Sequence, residues 1–188
     1  LIERDLDLLS AMAAEGLIEV AVSLTTLQRP LARTLEPRAA APQRRLRLIE
    51  TLSQAGIPVH VMLAPLIPVL TEPEIEDLLA AARSAGARSA DYVLLRLPLE
   101  VAPLFKDWLA QHHPGAADRV MSHVRALRGG RENDSQFGRR QRGQGAYAEL
   151  IRQRFELARR KLEFGRPVEL RCDLFRPPPL DERQLTLF

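Results

Sequence analysis

Three hydroxyls, Ser23, Thr25 and Thr26, fall within four residues at the end of a short β-branched run, Leu17 to Ser23. A hydroxyl at a strand terminus can bond a carboxylate or a ribose; it can equally cap the strand end or the next turn. Arg38, Arg44 and Arg45 follow the next loop. Such guanidinium groups either reach an anion or stay solvated along a helix surface. Ala64-Pro65 and Ile67-Pro68 come after a second apolar run. They predict an extended loop whose carbonyls either face a ligand or are simply stiffened by proline. A separate stretch carries Arg131, Arg139, Arg140 and Arg142 between Gly129, Gly130, Gly138, Gly143 and Gly145, with Phe137 and Tyr147 close by. Arginine supplies phosphate contacts and aromatic rings supply stacking, so these residues read either as a nucleic-acid surface or as a solvated basic face.

Other chemistries find less support. His60 lies inside the second apolar run, either in the core or facing a barrel interior. His112-His113 sits at a helix end, where the macrodipole favours a cation, and His123 stands alone. One cysteine, Cys172, excludes a disulfide framework and any cysteine-ligated cluster or zinc site built by this chain alone. No Gly-x-Gly-x-x-Gly or Walker-type loop is present, and the glycines from 138 to 145 follow no strand, so a glycine phosphate cradle is not expected. No serine, histidine and aspartate grouping is readable.

The elements that must position these groups follow from periodicity. The chain has 188 residues, 46% of them hydrophobic, enough for one domain with a core. The formal net charge is +3, and only Lys106 and Lys161 among the 27 basic residues are lysine. Ile2, Leu6, Leu9 and Ala13 predict a helix ended by Gly16, before a strand to Ser23. Leu46, Ile49 and Leu52 predict a second helix from Pro42, and residues 58–64 a second strand. Thr71 to Glu74 has the form of a capping box opening a third helix, and residues 91–96 read as a third strand. All three runs look continuously apolar, as parallel strands covered on both faces do. The expected fold is therefore α/β, with helical crossovers and parallel pairing. The expected division is a partial barrel over 1–112, a helical basic extension over 113–164 and an extended proline-rich tail over 165–188. No run of about 18 apolar residues exists, so no membrane span is expected, and a cytoplasmic location is the expectation.

Several short motifs together carry a resemblance: Ser23 to Thr26, Leu35 to Arg38, Arg44 to Leu46, Ala55 to Val59, Met62 to Pro68, Arg96 to Val101, Arg128 to Arg131 and Phe175 to Pro179. The chain is similar to the later half of the radical S-adenosylmethionine enzymes, in the branch containing spore photoproduct lyase and its bacterial relatives. The resemblance implies a partial (β/α)6 TIM-type barrel, in which a [4Fe-4S] cluster splits S-adenosylmethionine to a 5′-deoxyadenosyl radical. By position, Ser23 matches a serine that contacts the cofactor after the fourth strand. Ala64 matches the backbone position alongside the adenine, and Arg38, Arg44 and Arg45 are looser cofactor candidates. The family's C-x-x-x-C-x-x-C loop is not found in this sequence, so this chain alone is expected to ligate no cluster. The cofactors are expected in a longer parent, of which the chain, starting at Leu1 in mid-helix pattern, would be the later part. The implied activity is that of a DNA-repair lyase. The alternative is a non-catalytic remnant that binds DNA and its partner.

Gln184, Leu185, Thr186, Leu187 and Phe188 resemble the bacterial sliding-clamp binding peptide, usually Gln-Leu-Ser/Asp-Leu-Phe. Glutamine suits a polar pocket and the two terminal hydrophobes an apolar one, on an arm long enough to reach them. The other reading is a terminal segment folded back onto the domain. The expected partners are thus the sliding clamp, through Gln184, Leu185, Leu187 and Phe188, and DNA, through Arg131, Arg139, Arg140 and Arg142.

Overall fold

Short helices that each bury one stripe, joined to strands by tight glycine stops, set the chain's path. A computed structural model describes residues 2–177. After a 3-10 turn (Ile2–Asp5) come α1 (Leu6–Ala14), β1 (Val20–Ser23), α2 (Arg29–Leu35), α3 (Pro42–Gln54) and β2 (Val59–Leu66). A second 3-10 turn (Glu72–Glu74) leads into α4 (Ile75–Ser84), followed by β3 (Ser89–Leu94), α5 (Val101–His112), α6 (Ala117–Ala126) and α7 (Gly145–Lys161). Pro42 occupies the first turn of α3, where its missing N–H costs no intrahelical bond. Gly86, at φ 102°, ends α4 against α3, where a Cβ would run into the Ser53 side chain. Position and conformation both demand glycine there.

The three strands form one parallel sheet in the order β1-β2-β3, with Val20 beside Val59, Ser23 beside Met62, and His60 beside Ser89. The α/β class with parallel pairing is therefore as expected. The two-sided burial is not. Val20, Val22, Val59, Val61, Leu63, Tyr92 and Leu94 share one face and pack against Ile49 and Leu52 of α3, Leu78 and Leu79 of α4, and Ile151 and Phe155 of α7. On the opposite face Ala21 and Ser23 are exposed, and Met62, Ala64, Asp91 and Val93 are half-exposed. Among the described residues, helices cover only one side. The alternation was present in the chain as small or polar residues at every second position, masked by alanine and methionine counting as apolar.

Residues 113–164 are not a separable extension. Ala148, Ile151, Phe155 and Ala158 of α7 belong to the core of the sheet, with the Phe155 and Tyr92 rings 4.8 Å apart. Arg154 pairs with Glu72 and, at 2.7 Å, with Glu76, and Tyr147 donates to Glu72 at 3.3 Å. A second cluster unites Phe105 and Leu109 of α5 with Val120, Met121 and Val124 of α6 over Ile67, Leu95 and Leu97. The expected boundary at 112/113 cuts through that cluster. The tail is also not free from residue 165. Gly165 donates to the Arg88 carbonyl at 2.9 Å and Arg171 to the Gly16 carbonyl at 3.0 Å, contacts made by backbone that leave no side-chain period to read. The clamp-like peptide, Gln184 to Phe188, lies outside the described residues.

Phe155→Ala tests the placement of α7. Removing a fully buried ring from the sheet's core should cost about 3–5 kcal/mol in urea denaturation. A loss under about 1 kcal/mol would mean that α7 is an appendage.

Candidate functional site

In a parallel α/β sheet the carboxyl ends of the strands are where ligands gather. At that end the Ala64 carbonyl lies beyond Ser23 and Met62, the last paired position of β1 and β2. Two hydroxyls take it. Ser23 Oγ donates to Ala64 O at 2.9 Å and Thr25 Oγ1 at 3.0 Å. Both lone pairs of that carbonyl are thereby used, and the acceptor left available at the open face is the exposed Ser23 oxygen.

Arg45 comes to the same place from α3. Its Nη1 donates to the Ser23 carbonyl at 2.9 Å, Nε to the Ala40 carbonyl at 3.0 Å, and Nη2 to Glu36 Oε2 at 3.2 Å. With its side chain only 13% exposed, it fastens the loop between α2 and α3 to the end of β1. Arg38 lies exposed in that loop, away from the strand ends, and Arg44 turns to Glu3. Of the expected cofactor residues, the structure brings Ser23, Ala64 and Arg45 together and leaves Arg38 apart.

A cleft of about 700 Å³ opens beside this cluster, between α2 and the loop to α3. Thr25, Thr26, Arg29, Arg33, Glu36 and Arg45 supply its polar lining, among alanines and prolines. Its back wall depends on Glu74, which is 8% exposed. The Glu74 carboxylate accepts from Thr26 Oγ1 at 2.6 Å, Leu27 N at 2.8 Å and Gln28 Nε2 at 3.1 Å. This replaces the expected capping box: Thr71 Oγ1 accepts from Ile67 N at 2.8 Å and makes no cap. A carboxylate with three donors already facing it has no reason to turn back onto its own helix. In the sequence Thr26 and Glu74 belong to separate motifs. Nothing in their 48-residue separation links them.

The arginine-rich loop is pinned rather than loose. Leu94 N donates to Gln141 O at 2.9 Å, extending the free edge of β3 with loop backbone. Arg142 pairs with Asp91 and lies 4.4 Å from the centre of the Tyr92 ring. Burial draws its pKa down, but the hydrogen bond and negative charge of Asp91, together with Tyr92, outweigh it and raise it. Arg139 donates to Gln144 Oε1 at 2.9 Å and faces Asp134 at 3.7 Å. That leaves Arg131, exposed, and Arg140, which sits 5.3 Å from the Phe137 ring. Phe137 is 85% exposed. Of the four candidates, these two have side chains not committed to a carboxylate.

His60 lies at the other end of the sheet. Its Nδ1 is 2.8 Å from Ser89 Oγ, and Ser89 donates to Glu19 Oε1 at 3.0 Å. With the serine proton given to Glu19, His60 Nδ1 must be the donor. This buried chain closes the amino ends of the strands, far from Ser23. Among the described residues no three His, Cys, Asp or Glu side chains come together as metal ligands, and Cys172 is exposed in the tail. No helix among them is long and apolar enough to cross a membrane.

Proteins of Mycobacterium tuberculosis and Mycobacterium bovis, both described as uncharacterized, are 36% identical to the chain over 121 residues, covering 63% of this chain and 36% of theirs. An uncharacterized protein of the Acidianus two-tailed virus is 37% identical over 68 residues, 36% of this chain and 22% of its own. The match to the mycobacterial relatives spans about a third (36%) of their length. No family model matches the chain, and no solved structure matches it.

Glu74→Ala leaves the Thr26 hydroxyl and the Leu27 amide without their acceptor. The expected cost is about 3 kcal/mol of unfolding free energy, with faster proteolytic cutting between residues 26 and 41. Unchanged stability and cutting would remove Glu74 as the support of the cleft.

Proposed function

We propose that the chain is the later half of a radical S-adenosylmethionine barrel, and that the carboxyl ends of β1 and β2 hold the nucleoside of that cofactor. The observation that carries this reading is the convergence of Ser23, Thr25, Arg45 and the Ala64 backbone at the ligand end of a parallel sheet whose other face is open. The donor chemistry suits the ligand. Ser23 Oγ keeps acceptor lone pairs for a ribose hydroxyl, while Arg45 holds the Ser23 backbone in place. Bound in such an enzyme, S-adenosylmethionine is the source of the radical, and this chain's share is to bind and orient it. One exposed thiol, Cys172, does not fit a [4Fe-4S] cluster, which takes several thiolates.

For the whole protein we infer a DNA substrate and a lyase-type repair reaction. Arg131, Arg140 and the exposed Phe137 support the nucleic-acid part, as a basic surface with a stacking ring. The Gln184 to Phe188 peptide supports recruitment by the sliding clamp. The single thiol favours a second reading, in which the chain binds DNA and the clamp without chemistry of its own.

Two measurements separate these readings. Titration of the full-length protein with S-adenosylmethionine should show binding that Ser23→Ala weakens about tenfold, the equivalent of about 1.4 kcal/mol. Equal affinity in the variant would count against the site, and no binding at all would favour the second reading. Leu187→Ala with Phe188→Ala should abolish capture by the clamp in a pull-down; undiminished capture would make the terminal match a coincidence.

A further inference from the structure

The carboxyl end of β3 carries two guanidinium groups, and among the described residues neither forms a salt bridge. Arg96 lies two positions beyond Leu94, the last residue of β3, and is half-buried. Its Nε is buried without a hydrogen-bond partner, and among the described residues Arg96 forms no salt bridge. Beside it Arg128 is 2% exposed. Arg128 spends its donors on neutral groups, the Leu95 carbonyl at 2.8 Å and the Arg139 carbonyl at 3.1 Å. Burial pulls the Arg128 pKa below its ordinary value, Asp134 opposes that, and the like charge of Arg96 adds to it. Asp134 meanwhile accepts from Gln136 N at 2.9 Å and faces Arg139 at 3.7 Å.

Buried donors are nearly always satisfied, and a charged one without an acceptor destabilises the protein that keeps it. Two neighbouring guanidinium groups add mutual repulsion. The pair stands where parallel sheets bind ligands, and it lacks what an oxyanion would bring: an acceptor for Arg96 Nε and a direct ion pair for either group. Arg128 is fixed by two backbone carbonyls, so it acts by position and charge, while Arg96 is the group with a donor to give. A guanidinium fork presents two parallel N–H groups that match two oxygens of a phosphate. Two clustered cations also favour an anion that can carry more than one charge.

We propose that Arg96, backed by Arg128, is a binding site for a phosphate group. The site is built from guanidinium groups and needs no glycine cradle. It does not rest on the cofactor reading, since it concerns the end of β3, not Ser23 and Ala64.

Thermal unfolding of the chain, titrated with sodium phosphate at constant ionic strength set by sodium chloride, tests the proposal. The native chain should show a saturable rise in Tm with phosphate, and acetate at equal concentration should not reproduce it. Arg96→Gln should melt higher than the native chain without phosphate, having lost an unpaired charge, and should lose the phosphate response. Arg96→Lys keeps the charge but not the fork, and its apparent affinity should fall at least tenfold. Arg47→Gln, at an exposed position on α3, should respond like the native chain. A native chain that gains nothing beyond chloride, an Arg96→Gln variant that keeps the response, or an equal effect of acetate would each overturn the proposal. If Arg96→Gln does not fold, an undiminished phosphate affinity in Arg96→Lys would do so.

Discussion

Taking a carboxylate out of water is tolerable only when its lone pairs are met by donors, and at Glu74 one short segment meets them. The Thr26 hydroxyl, the Leu27 amide and the Gln28 side chain all converge on it. This fixes where β1 hands over to α2, and therefore where the wall of the cleft stands. Arg45 completes the arrangement from the other side by binding the Ser23 carbonyl and Glu36. That end of the sheet is thus held by one buried carboxylate and one largely covered guanidinium, each from a different crossover. The strand-end hydroxyls are positioned as a by-product of that fastening.

The covered face of the sheet shows a different economy. α3, α4 and α7 supply one continuous apolar layer, and the Arg154 link to Glu72 and Glu76 holds α7 against the start of α4. The opposite face carries Ser23, Met62, Ala64 and Asp91 in partial contact with solvent. Asymmetry of this kind lets one side bear the folding energy while the other keeps polar groups accessible.

Local pattern made most elements legible. The stripe of Leu46, Ile49 and Leu52 lies in a helix, and the β-branched runs at Val20–Val22 and Val59–Val61 are strands, because period and side-chain shape are local properties. The two faces of the strands were misjudged because alanine and methionine fill positions that a polar residue would have marked. Long-range pairing was not legible at all: Thr26 with Glu74, Arg154 with Glu72, and Asp91 with Arg142 join residues whose types suit many partners. The arginines make the point most plainly. Arg142 lies against Tyr92, Arg128 grips carbonyls, Arg154 bridges two glutamates and Arg140 stands by Phe137, yet in the sequence all four look alike. Ser23 and Ala64 stand at strand ends, a position that can be read from the strands themselves, whereas Arg45 reaches the Ser23 carbonyl from α3.

The closing segment after α7 ties the order of synthesis to the order of folding. Val168 N reaches Glu19, 149 positions earlier, at 3.3 Å, and Gly165 bridges to Ser89. Glu19 is also the acceptor for Ser89, so the contacts that residues 165–171 make before β1 and at the start of β3 form only once that segment has left the ribosome. The closure entropy of so long a loop is met only then, and contacts of such separation slow the last step of folding. A chain stopped short of residue 165 would lack the backbone bonds to Arg88, Gly16 and Glu19 that close this rim. Closure of this rim is in this sense a timed event, set by the backbone of residues 165–171 rather than by the core.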